Sequence, residues 1–355
     1  AALLRERAPQ HGAQDLPARS NAPVFDVSAM DGYGVRDADL INYPCSLEVA
    51  MESFAGSPPP PPMGHGVCAR IFTGAPVPPG VDRVIIQENV ERQGNIAVFN
   101  TPPGKGRNIR TMGSDFKAGD TLLPKGTLLS WRQMTTAAAA DQETLTVFKQ
   151  PTAVVLATGD ELQPPGYAHK TPGAIPESVS FGVSAMMKQN GVAVIRSERL
   201  GDNPTVLSQA ADRAIEDADI IVVTGGASVG EKDYARSMFS THDPEMVFPK
   251  VAIKPGKPVW IARLTSANKY IVGLPGNPTS ALVTARLFLK PLIDGLRGLD
   301  PDLSNQLHEL TCAEPLPEAG GRENFLRGVQ IGERVFLCSS QDSSSQITLA
   351  KSNVL

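Results

Sequence analysis

Through roughly the first 150 residues, apolar and polar positions alternate in short runs. After them, apolar residues gather into unbroken stretches separated by segments of helical periodicity. Alternation with a period of two predicts strands with one buried face. Cys45 to Phe54 alternates in this way, and Val67 to Thr73, Val84 to Val90 and Ile96 to Phe99 are further strands bounded by glycine and proline turns. Together they predict a small all-β unit. Ahead of it, Ala1 to Gly12 has some helical character, and Leu16 to Arg36 reads as an extended arm. Pro17 and Pro23 exclude regular helix from that arm, and Asp31-Gly32 is a turn signal at its tip. Ser57 to Pro62 is a rigid polyproline loop, and Ser130 to Asp141 is a helix with Ser130 as its cap.

From about residue 151 the rhythm becomes strand, loop, helix. Strands are predicted at Ala153 to Ala157, Val192 to Ile195, Ile220 to Val223 and Tyr270 to Leu274. Helices are predicted from Ser180 to Gln189, from Pro204 onward and from Thr279 to Leu292. Apolar β-branched strands alternating with helices imply a mostly parallel sheet covered on both faces, a three-layer α/β domain. Strands at Leu326 to Ile331 and Arg334 to Cys338 then predict a small β structure at the end of the chain.

Composition narrows the function. At 355 residues the chain is long enough for two to four domains, and 41% hydrophobic against 20% charged residues allows sizeable cores. A net charge of −4 supplies no basic field, so a nucleic-acid partner is not expected, and any polyanion must be held by a local cluster. Four scattered cysteines with no CxxC pair argue against a zinc ribbon or disulfide framework and fit a reducing, cytoplasmic setting. No apolar run reaches membrane-spanning length.

The candidate chemistry sits where the predicted strands end. Asp160-Glu161, Asp202, the Gly225-Gly226-Ala-Ser228-Val-Gly230 loop with Glu231 and Asp233, and Pro275-Gly276-Asn277-Pro278 all follow predicted strands. A fifth loop, Ile253 to Lys257, carries Lys254 and Lys257. Ligands of open α/β sheets bind beyond the carboxyl ends of the strands. Glycines there let backbone N–H groups approach a phosphate, lysines neutralise it, and carboxylates hold Mg²⁺. Each loop alone also fits a tight turn with a solvated acidic cap, but five on one rim point to a pocket for a phosphate-bearing ligand. Neither GxGxxG nor a Walker A sequence is present, which removes the dinucleotide dehydrogenase and P-loop readings.

In this order the motifs resemble the molybdopterin molybdenumtransferase family, that of MoeA and the gephyrin E-domain. The matching stretches are SAMDGYGV (28–35), FTGAPVPPG (72–80), GRNIRTMGSD (106–115), LATGDEL (156–162), TGGASVGEKDY (224–234), AIKPGKP (252–258) and GLPGNPTSA (273–281). The resemblance implies Mg²⁺-dependent insertion of molybdate into adenylylated molybdopterin with release of AMP. It implies a homodimer in the cytoplasm, with a molybdopterin adenylyltransferase as partner and molybdoenzyme chaperones as further candidates. The expected layout is a linker and dimerisation region (1–27 and 116–150), a small β-rich domain (28–115), an α/β molybdopterin-binding domain (151–298) and part of a C-terminal β-barrel (299–355). The rest of that barrel and the family's first helix are expected to lie outside this chain.

Carried over position by position, the resemblance implies catalytic roles for Asp31, Thr73, Asp115, Glu161, Asp202 and Asp233, the last three also as metal ligands. It implies substrate-binding roles for Gly225, Gly226, Ser228, Gly230, Lys254, Lys257, Pro275, Gly276, Asn277 and Pro278. Two stretches depart from the family. Where it reads isoleucine, any residue, aspartate, serine, asparagine, this chain has Ile175-Pro176-Glu177-Ser178-Val179, and a glycine-containing loop is replaced by the serine-rich run Ser339 to Gln346. Two other classes of function compete. One is an adenylyltransferase-like or competence-damage-type enzyme sharing only the α/β unit, and the other is a gephyrin-like scaffold that binds partner peptides.

Overall fold

The computed structural model describes residues 2–3, 10–226, 234–318 and 320–355. They fall into two compact units, the first built mainly on residues 14–125 and 129–146, the second on residues 126–128 and 147–355.

The first unit holds a six-stranded sheet made of β1 (Gly32–Val35), β2 (Cys45–Ser53), β3 (Val67–Ile71), β4 (Arg83–Ile86), β5 (Val90–Gln93) and β6 (Ile96–Phe99). The strand order is β4-β1-β3-β2-β6-β5, antiparallel except between β2 and β3. Alternate residues of β2 (Leu47 and Val49) point inward to join Tyr33, Val35, Cys68, Ile85, Ala97 and Phe99. The continuous strand expected from Val84 to Val90 is broken by a 3-10 turn at Gln87–Asn89. Three successive polar residues there have no apolar side chain to bury, so the ladder stops and restarts.

The arm before this sheet is extended and pinned in short antiparallel pairs, Leu16–Pro17 against Thr121–Leu123 and Val27–Ser28 against Ile109–Arg110. Ala2–Leu3 pairs with Thr144–Leu145, so these two residues of the expected N-terminal helix are in a strand. Helix α1 spans Trp131–Ala139 with Ser130 at its N-cap position, but the expected side-chain cap is not made. The Ser130 hydroxyl donates to the Gln133 side chain instead.

The second unit is built on β7 (Thr152–Thr158), α2 (Val179–Gln189), β8 (Ala193–Leu200), α3 (Pro204–Asp217), β9 (Ile220–Thr224), β10 (Glu245–Phe248), β11 (Trp260–Leu264), β12 (Lys269–Leu274), α4 (Pro278–Thr284) and α5 (Lys290–Leu296). A π turn at Ala285–Leu289 joins the last two helices. The sheet order is β8-β7-β9-β12-β11-β10. Its first four strands run parallel, β11 runs against β12, and β10 pairs antiparallel with β11, so the sheet is mixed but mostly parallel.

Every residue of β9 is buried, which is why it reads as an unbroken apolar run. Its side chains still alternate between faces. Ile221 and Val223 pack with Leu207, Ala210 and Ala214 of α3, while Ile220 and Val222 pack with Val183 and Met187 of α2 and Ala281 of α4. Three layers follow from that alternation. Strand β8 runs five residues past its expected end at Ile195, because its half-buried charges are paired, Arg196 with Glu198 and with Asp217 of α3. Helix α3 begins where Pro204 predicts, with Asn203 accepting from the Thr205 and Val206 amides at 3.0 and 3.2 Å.

The chain ends in a three-stranded sheet, with Thr311–Cys312 beside β14 (Arg334–Leu337) and β13 (Gly328–Ile331), followed by helix α6 (Gln346–Lys351). Among the described residues no helix is long and apolar enough to cross a membrane.

Candidate functional site

The parallel strands of the second unit all deliver their carboxyl ends to one pocket of about 940 Å³. Strand β7 leads to Gly159 and Glu161, β8 to Asp202, β9 to Gly225 and Gly226, and β12 to Pro275, Gly276, Asn277 and Pro278, all of them lining residues. This is the rim where a parallel sheet binds its ligands. Gly225 has φ +88°, and a Cβ there would lie 2.4 Å from the Thr158 carbonyl oxygen. Only glycine permits the chain to turn so close to the end of the neighbouring strand.

Glu161 and Asp202 face the same space, and the Asp202 turn is held by Asp160, whose Oδ1 accepts from the Asp202 amide at 2.9 Å. Carboxylate oxygens are the donors that Mg²⁺ prefers. Among the described residues no group of three or more potential ligands is assembled. Asp233, the third expected metal ligand, lies outside the described residues, as do Ser228 and Gly230. Lys257 lines the pocket. Lys254 is exposed and not among the lining residues; its carbonyl accepts from the Phe325 amide at 2.8 Å.

Several lining residues were not singled out from the sequence. Lys250 brings a second cation, and its only sequence signal is its place four residues before Lys254. Ser344 and Gln346 arrive from the serine-rich run near the end of the chain. That run is tied to the pocket by Asn277 Nδ2, which donates to Ser343 Oγ at 3.1 Å, by the Thr279 hydroxyl, which donates to the Ser345 carbonyl at 3.0 Å, and by Gln346 Nε2, which donates to Ser178 Oγ at 3.3 Å. Glu177 also lines the pocket, but its carboxylate is occupied. One oxygen accepts from the Ser180 amide at 2.8 Å and the other from the Ser180 hydroxyl at 2.5 Å, closing the first turn of α2.

In the first unit, Asp31 and Thr73 form a pair. Asp31 Oδ1 accepts from both the Thr73 amide and the Thr73 hydroxyl at 2.7 Å. The Thr73 backbone donor and then its hydroxyl hold the Asp31 carboxyl below the usual carboxylate range, with a smaller contribution from the Arg70 charge. Asp115 is exposed, its amide donating to the Ala22 carbonyl at 3.0 Å. Among the described residues no hydrogen bond joins Asp115 to the Asp31–Thr73 pair.

A three-layer α/β unit with a pocket at the carboxyl ends of its parallel strands defines a class of ligand-binding α/β proteins, and comparison with known proteins narrows the class. Residues 5–140 match the model of the MoeA N-terminal region (domain I and II), and residues 154–295 match that of a probable molybdopterin binding domain. A molybdopterin molybdenumtransferase of Nostoc sp. is 34% identical over 347 residues, covering 94% of this chain and 78% of the relative. That of Haemophilus influenzae is 36% identical over 326 residues, covering 92% and 80%. The crystal structure of the molybdopterin biosynthesis MoeA protein of Pyrococcus horikosii superposes with a TM-score of 0.83 at 26% identity, covering 99% of this chain and 88% of that one. The chain belongs to the molybdopterin molybdenumtransferase family.

Proposed function

We propose that this chain is a molybdopterin molybdenumtransferase of molybdenum cofactor biosynthesis, inserting molybdate into adenylylated molybdopterin and releasing AMP. The observation that carries the reading is the joint placement of Glu161, Asp202, Lys250, Lys257 and the Gly225–Gly226 turn around one 940 Å³ pocket. The substrate presents a pyrophosphate and the second reactant is a dianion, so the site needs cations, backbone donors and a place for a divalent metal.

The chain's own groups divide that work. The glycine turn lets backbone N–H groups approach the phosphate oxygens. Lys250 and Lys257 offset the negative charge of the pyrophosphate and of molybdate, and that charge grows as AMP departs. Glu161 and Asp202, with Asp233, would hold Mg²⁺, which when bound polarises the phosphoanhydride bond. Ser344, Gln346 and Asn277 supply neutral polar contacts in the same lining. Asp31 and Thr73 are a further carboxylate–hydroxyl pair that the family resemblance assigns to the reaction, and Pro275 and Pro278 shape the rim.

The reading extends to a cytoplasmic homodimer that receives its substrate from a molybdopterin adenylyltransferase. It also assigns a four-part layout: linker (1–27, 116–150), β-rich domain (28–115), α/β domain (151–298) and C-terminal β module (299–355). The MoeA-type first region weighs against an adenylyltransferase-like enzyme, which would need only the α/β unit.

The test is AMP release from adenylylated molybdopterin with Mg²⁺, with and without molybdate. Molybdate-dependent release with recoverable molybdenum cofactor is the expected result. Binding of the nucleotide with no response to molybdate would overturn the insertion reading.

A further inference from the structure

Arg70 closes a ring around the Asp31–Gly32 turn. It lies near the end of β3, opposite Tyr33 of β1. Its Nη1 donates to the Gly32 carbonyl at 3.0 Å, and its Nη2 donates to Gln87 Oε1 at 2.6 Å. The Gln87 amide in turn donates to the Asp31 carbonyl at 3.0 Å. The two carbonyls that flank the Gly32 Cα, those of Asp31 and Gly32, are therefore both held, while Thr73, three residues beyond Arg70, fixes the carboxylate itself.

The guanidinium is placed by stacking. Its carbon lies 5.0 Å from the Tyr33 ring centroid and 4.6 Å from that of Phe72, and Phe72 stacks on Phe54 at 4.8 Å with 14° between planes. Among the described residues, the arginine–carboxylate pairs of this unit are Arg36–Asp39 and Arg83–Asp37. Arg70 instead spends its donors on a carbonyl and an amide oxygen. Gly32 cannot be fixed by side-chain packing, because a Cβ would meet the Ile85 carbonyl oxygen at 2.0 Å. The hydrogen-bonded ring takes over that role. Both Thr73 bonds fall on Asp31 Oδ1, and Oδ2 accepts no hydrogen bond from the described residues.

We propose that Arg70 is a positioning residue: through Gly32 and Gln87 it fixes the Asp31 turn and with it the carboxylate, whose Oδ2 accepts no hydrogen bond from the described residues. The inference rests on the reading that Asp31 serves the reaction. A planar fork that donates in two directions while stacked between rings is a task lysine cannot perform.

The experiment compares Arg70→Ala, Arg70→Lys, Gln87→Leu and Asp31→Asn in molybdate-dependent AMP release by the full chain, with thermal unfolding of each. Loss of positioning is expected to lower kcat of both Arg70 variants about 10- to 100-fold, with KM within about twofold. Millimolar guanidinium should restore part of the Arg70→Ala loss, a rescue that a fold defect would not show. Wild-type kcat in Arg70→Ala, or a loss that guanidinium does not relieve, overturns the proposal. If neither Arg70 variant folds, Gln87→Leu decides, since it cuts the ring and leaves Arg70 in place. A several-fold lower kcat supports the ring, and an unchanged one overturns it. Wild-type turnover in Asp31→Asn removes Asp31 from the reaction and the inference with it. An inactive Asp31→Asn beside a normal Arg70→Ala defeats the inference alone.

Discussion

Cys68 has no exposed surface, and burial pushes its thiol up to about 12. At pH 8 its thiolate fraction is on the order of 1 in 10,000, and the thiolate is the reactive form. A thiol-reactive dye followed by peptide mapping is expected to label the partly exposed Cys45, Cys312 and Cys338 in the native protein, and Cys68 only after unfolding. His11 gives a pH signature. Burial, with the Arg297 charge second, depresses its pKa below the ordinary 6.5. A depressed pKa means that folding favours the neutral ring, so its contribution to stability is complete above pH 6.5 and is lost as pH falls through the lowered folded value. Denaturant midpoints measured from pH 8 to pH 4.5 should fall on the acid side, and His11→Gln should remove that part of the slope. Neither effect could be read from local sequence, because both depend on what covers the side chain.

At the scale of elements, the sequence was legible where a segment is apolar on its own account. Strand β9 and helix α3 lie close to where periodicity and Pro204 put them. Ile221 on β9 is fully buried against α3, so Ile221→Ala is expected to cost about 2–5 kcal/mol in a urea titration, mostly from the cavity it leaves. Two of the misreadings share a cause: they occur where a charged or polar residue decides the element through a partner distant in the chain. Strand β8 continues through Arg196 and Glu198 because Asp217 and Arg213 satisfy them from α3. The turn at Gln87 interrupts a predicted strand, and its amide bonds to Asp31, distant in the chain. Ser130 offered a good capping residue, yet its hydroxyl engages Gln133.

At the scale of the whole molecule, the pocket draws on chain segments as far apart as Thr158 and Gln346. The serine-rich run contributes Ser344 and Gln346, and the Asp342 carboxylate holds that run by accepting from the Ser344 amide at 2.8 Å and from its hydroxyl at 2.5 Å. Removing both polar groups, Ser344→Ala with Gln346→Ala, should raise KM for adenylylated molybdopterin about five- to tenfold, in line with one or two lost hydrogen bonds, while the unfolding midpoint stays near wild type. An unchanged KM would make that wall a passive lining.

By itself the sequence determined the mostly parallel α/β core, the glycine turns and prolines at the strand ends, and the acidic residues that follow them. Those features are set within a few residues by backbone sterics and by apolar periodicity. Only the tertiary structure decided which charged groups share the pocket. It brought in Lys250, Ser344 and Gln346, kept Lys254 off the wall, and gave the Glu177 carboxylate to the turn of α2. It also enclosed Asp31 in the Arg70–Gln87 ring. The physical reason is that hydrogen bonds and charges act through space at a few ångströms, so partners far apart in the chain leave no local pattern until strand order and packing set them side by side.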